Sequence, residues 1–76
     1  MSAIETVSAV VCRIGELPAL APAQDIYEAG LESVRALEVL LDLESEFSVS
    51  IPDEEFMNCR TAESLAALVT RLQQGA

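Results

Sequence analysis

The chain has 76 residues, 51% of them apolar, and thirteen acids against four arginines, with no lysine and no histidine, give it a net charge of −9. That length holds one domain, residues 1–76, close to the size at which a single core barely suffices without metal or disulfide help. The charge repels nucleic-acid phosphate and anionic membrane and attracts basic protein surfaces. The absence of histidine excludes a His-dependent triad, and Cys12 and Cys59 lack the spacing of a zinc or redox motif. They read instead as small core or edge residues. No apolar run is long enough to span a bilayer, and the N-terminus lacks the basic and hydrophobic regions of a secretory signal, so the expected location is cytoplasmic.

Ser2-Ala3-Ile4-Glu5 has the spacing of a capping box, and Ile4, Val7, Val11 and Ile14 then recur at helical intervals as far as Gly15, which predicts helix I. Pro18 and Pro22 interrupt the next stretch. About eighteen residues pass before another strong helix, more than the usual short connection, and such a loop in a small domain is functional or packed by its own side chains. Leu17, Leu20, Ile26 and Leu31 are the residues available to pack it against the bundle.

Helix II is expected from about Ser33 to about Phe47, where good helix formers dominate without glycine or proline. Ala36, Val39, Leu40, Leu43 and Phe47 form one stripe suited to the core. Val34, Leu37 and Leu41 form a second, rotated away from the first and flanked by Glu38 and Asp42. Burying both stripes would make the helix central to the core. Against that stand Arg35, Glu38, Asp42, Glu44 and Glu46, distributed along its length, because charged residues are rarely buried. The second stripe therefore reads as an exposed docking surface, apolar at its centre with an acidic rim.

Ser48-Val49-Ser50-Ile51-Pro52 ends helix II, and Asp53, Glu54 and Glu55 follow the proline as the start of a brief helix III. These three acids read as a solvated helix start rather than a metal cluster. Thr61 can cap a last helix with Leu65, Leu68, Val69 and Leu72 inward, ending before Gly75. The sum is all-α: a small four-helix bundle of three main helices and one short helix III, with a long loop between helices I and II.

Among the serines, Ser33 alone follows a glycine hinge, Gly30, and stands at the start of a helix. Unpaired N–H groups and the positive end of the dipole there suit a phosphodiester. A plain N-cap is the alternative role, one that serine often fills.

The run Asp25-Ile26-Tyr27-Glu28-Ala29-Gly30-Leu31-Glu32-Ser33-Val34, with Phe47 and Ile51-Pro52-Asp53-Glu54-Glu55-Phe56 downstream, resembles the acyl and peptidyl carrier protein family over roughly residues 24 to 72. In that family the serine carries 4′-phosphopantetheine, whose thiol holds cargo as a thioester. The resemblance implies that Ser33 is the attachment residue and that Glu32, Val34, Leu37, Glu38, Leu41 and Asp42 lie on the partner-binding face. It implies a non-catalytic, monomeric carrier and three kinds of partner: a phosphopantetheinyl transferase that moves the arm from coenzyme A with its own divalent ion, a loading ligase or acyltransferase, and downstream synthase enzymes with basic docking surfaces. Bacterial fatty-acid carriers typically have aspartate before the serine and leucine after it, where this chain has Glu32 and Val34. Ala29-Gly30-Leu31 and Glu55-Phe56 look more like discrete carriers of aminoacyl, peptidyl or polyketide intermediates in polyketide or nonribosomal peptide biosynthesis. A housekeeping fatty-acid carrier and an unmodified helical interaction domain stay open as alternatives.

Overall fold

In a computed structural model, which describes residues 2–75, four α-helices surround one apolar core. Helix α1 spans Ala3–Gly15. Its N-terminus is closed by the expected capping box: the Ser2 hydroxyl accepts from the Glu5 amide, and the Glu5 carboxylate accepts from the Ser2 amide at 3.1 Å. Val7, Val10, Val11 and Ile14 are buried, while Ile4 in the first turn is half-buried. The helix stops where Glu16 turns left-handed, at φ 56°, and the Leu17 amide returns to the Cys12 carbonyl at 2.9 Å.

The loop from Glu16 to Glu32 wraps the bundle and is tied down at both levels that a small domain has available. Ile26 and Leu31 are buried and Leu17 and Leu20 half-buried, so its own side chains extend the core. Its backbone pairs with the segment before the last helix, through an antiparallel bridge between Asp25 and Thr61 and bonds from Ile26 N to Arg60 O (2.8 Å) and from Glu63 N to Pro22 O (3.1 Å). The Asp25 carboxylate adds a local turn by accepting from the amides of Tyr27 and Glu28.

Helix II starts more tightly than its sequence predicts. Ser33–Arg35 form a 3₁₀ turn, and the α-helix proper, α2, spans Ala36–Phe47. Tightening of a first turn is a common way to enter a helix that lacks a side-chain cap, and none closes this one. Ala36, Val39, Leu40 and Leu43 are buried, and Phe47 is half-buried at the C-terminal end. Helix α3, Asp53–Asn58, is a single stretch of six residues that buries Phe56. The link before it is pinned where the Glu44 carboxylate accepts from the Ile51 amide at 2.8 Å.

Helix α4 spans Ala62–Gln74 and begins with a capping box in which Thr61 and Ser64 exchange bonds. Ala62, Leu65, Ala66, Leu68 and Val69 are buried and Leu72 is half-buried. Helix α1 packs most extensively on α4 and next on α2. Among the described residues, no polar or charged residue is buried and no helix is long and apolar enough to cross a membrane. Cys12 and Cys59 are free, half-buried thiols, and Cys59 packs against the core.

Candidate functional site

Gly30 sets the approach to the site. Its φ of +128° is closed to most side chains, and a Cβ there would stand 2.9 Å from Leu17 Cδ2. The turn sends Leu31 into the core, 2% exposed, and the following three residues out to solvent. Ser33 is thus exposed at the first position of the 3₁₀ turn. The first bond of the turn runs from Arg35 N to Glu32 O at 2.8 Å, which leaves the amides of Ser33 and Val34 ahead of it at an open helical start. Among the described residues the Ser33 hydroxyl has no hydrogen-bond partner, so it does not serve as a side-chain cap.

Two surfaces meet at this serine. Along α2 and its preceding turn, Val34, Leu37 and Leu41 are 79%, 61% and 55% exposed, which separates them cleanly from the buried stripe at Ala36, Val39, Leu40 and Leu43. Between α2 and α3 runs a groove of about 290 Å³, lined by Ser33, Ala36, Leu37, Leu40, Asp53, Phe56 and Met57. Met57, 61% exposed, joins the apolar surface from the α3 side. Sequence reasoning began helix III at its acids without fixing an end and did not single out Met57; a short helix that buries Phe56 leaves the next side chain outward, which was the available signal. A second concavity of about 400 Å³ lies between α3 and α4, where Arg71 pairs with Glu55, and shares no residue with the first.

The acids around the stripe are not equivalent. Glu32 and Glu38 are exposed and unpaired among the described residues, whereas Asp42 accepts from Arg13 at 2.7 Å and joins α2 to α1. Glu44 is occupied by the Ile51 amide. Below the site, the loop is held by Arg60, which grips Asp25 through Nε at 2.6 Å and lies over the Tyr27 ring at 4.8 Å. The Arg60 guanidinium, followed by the Glu28 amide, holds the Asp25 carboxyl below its ordinary range. Burial pushes the Tyr27 phenol up, and its buried hydroxyl has no partner in the described structure.

An unbonded hydroxyl at an open helical start, beside an apolar groove, suits attachment of a phosphate ester on a flexible arm. The family model described as "Phosphopantetheine attachment site" matches residues 5–69, most of the chain and all of the elements that build this region. The chain belongs to this family. It is a carrier protein, and 4′-phosphopantetheine is the group covalently attached to such a domain. Carriers of this family are generally non-catalytic and work with phosphopantetheinyl transferases and synthase enzymes. A comparison with curated proteins finds no match.

Proposed function

We propose that this carrier bears its arm on Ser33 and presents aminoacyl, acyl or polyketide intermediates, as thioesters, to the enzymes of a secondary-metabolite pathway. The observation that carries the assignment is the state of the Ser33 hydroxyl: exposed, unbonded and at a helical start reached through Gly30. The other serines have competing circumstances. Ser2 and Ser64 are engaged in capping boxes, Ser8 is half-buried within α1, Ser45 lies inside α2, and Ser48 and Ser50 follow its C-terminal end.

In the transfer, Ser33 Oγ forms a bond to the β-phosphorus of coenzyme A, adenosine 3′,5′-bisphosphate leaves, and the serine proton passes to a base on the transferase. The two open amides at the turn would stabilise a phosphodiester formed there. When attached, the arm supplies the thiol on which cargo is held. The chain's own contribution is tethering and docking: a shared tether replaces bimolecular encounter with a high effective concentration. Val34, Leu37 and Leu41 form the apolar centre of the docking face, and Glu32, Glu38 and Asp42 its acidic rim. Glu32 and Val34, in place of the aspartate and leucine typical of fatty-acid carriers, support the secondary-metabolic reading.

Trypsin cuts only after Arg13, Arg35, Arg60 and Arg71, and the peptide 14–35 contains Ser33 as its single hydroxyl-bearing aliphatic residue. Mass mapping of the carrier isolated from its native host should place the arm and its thioester on that peptide. The mass of the cargo then tests the pathway: an aminoacyl or polyketide unit agrees with the secondary-metabolite reading, and saturated acyl chains favour a housekeeping fatty-acid carrier instead.

A further inference from the structure

We propose that Arg35 is a positioning residue for the modification of Ser33, fastening the serine's turn to the end of α1; this rests on the reading of Ser33 as the attachment residue. Two positions after the serine, Arg35 does not join the acids along α2. Its guanidinium turns back, with Nη1 donating to the Ile14 carbonyl at 3.2 Å and Nη2 3.6 Å from a Glu16 carboxylate oxygen. The Ile14 carbonyl belongs to the last turn of α1, where carbonyls have no helical partner and the negative end of the dipole favours a cation.

Along the same seam the chain approaches closely enough that neither glycine has free room for a side chain. A Cβ on Gly30 would meet Leu17 Cδ2 at 2.9 Å, and a Cβ on Gly15 would meet Leu31 Cδ1 at 3.1 Å. Residues 30–31 therefore run close to residues 15–17, and Arg35 holds Ile14 and Glu16. Ser33 lies between these two attachments and makes no side-chain bond among the described residues, so its direction is set by what holds the turn. The planar guanidinium suits this task because it bridges two acceptors with little loss of freedom per bond.

The sign of the effect separates this role from that of a surface cation. Removing a plain surface charge would make the face more acidic and speed encounter with a basic transferase. Removing a positioning residue slows the chemical step, since misplacing a reacting group by about 1 Å can cost as much as ~10²-fold.

The test uses Arg35→Met and Arg35→Lys in the full chain, with coenzyme A and a broad-specificity transferase. Modification rates are resolved into kcat and KM, and amide hydrogen exchange is followed at positions 35 and 36. In Arg35→Met, kcat should fall roughly tenfold, KM should hold or fall, and both amides should exchange faster. Arg35→Lys keeps the charge and one donor but cannot bridge both acceptors; it should show a smaller fall and intermediate exchange. Wild-type kcat and wild-type exchange in the lysine variant overturn the proposal even if the methionine variant fails to fold. A loss of kcat with unaltered exchange also overturns it, because Arg35 would then act by touching the transferase. An arm found outside peptide 14–35 is a different failure, that of the Ser33 assignment itself.

Discussion

Gly30 carries a conformational demand that its neighbours do not. At φ +128° a side chain is strained whatever space surrounds it, and here the nearest obstacle is the end of Leu17. Gly30→Ala should therefore destabilise the domain by more than ~1 kcal/mol in a denaturant titration, the range for alanine forced into positive φ. The glycine was legible as a hinge from sequence; its partner Leu17, thirteen residues earlier, was not, because that contact exists only once the loop has wrapped. Asp25 makes a second residue-scale test. Its folded carboxyl lies below the ordinary range because of Arg60, and Glu5 is likewise lowered by the Ser2 amide and hydroxyl. Groups with depressed folded values contribute stability that is complete above their unfolded values and is lost as pH falls through the folded ones. Acid unfolding should accordingly begin below about pH 4. Asp25→Asn should flatten part of that slope in a melting series; an identical slope in the variant would show that the Arg60 pair contributes nothing.

On α2 the helical period alone divided two stripes, and burial follows that division: Leu40 is 7% exposed and its neighbour Leu41 55%. Truncating a buried leucine costs ~2–5 kcal/mol, whereas an exposed one should cost well under ~1 kcal/mol. Leu40→Ala should lower the melting temperature sharply. Leu37→Ala and Leu41→Ala should fold nearly as the wild type yet slow loading or transfer by at least one partner enzyme, because the apolar centre of the interface is lost. Unfolding of the latter two to the same degree as Leu40→Ala would refute a docking face. Helix ends were the part that sequence located with uneven success. Capping boxes at Ser2/Glu5 and Thr61/Ser64 rest on local spacing and local bonds, and the first was read directly. The 3₁₀ start at Ser33–Arg35 is accompanied by a bond from Arg35 back to the Ile14 carbonyl, a contact across 21 residues that no local pattern contains.

For the molecule as a whole, the excess of acid gives the proposed docking face a field as well as a shape. Residues 32–47 carry five acids and one arginine, although Arg13 on Asp42 and the Ile51 amide on Glu44 leave Glu32, Glu38 and Glu46 as the acids without such partners among the described residues. Encounter with basic enzymes should weaken with added salt, since charges farther apart than about 10 Å are screened at 0.1 M. Transfer rates that stay flat across a salt series would argue that the rim does not steer. The four-helix architecture and the exposed stripe could be anticipated from periodicity; the groove beside Ser33 could not, because α3 closes it through Asp53, Phe56 and Met57 only after the chain has folded back. The central claim is that this surface exists to present one serine. Intact-mass measurement after co-expression with a broad-specificity phosphopantetheinyl transferase tests it most directly: the wild type should gain a single phosphopantetheine and Ser33→Ala none, and a gain of that mass by the alanine variant would contradict the account.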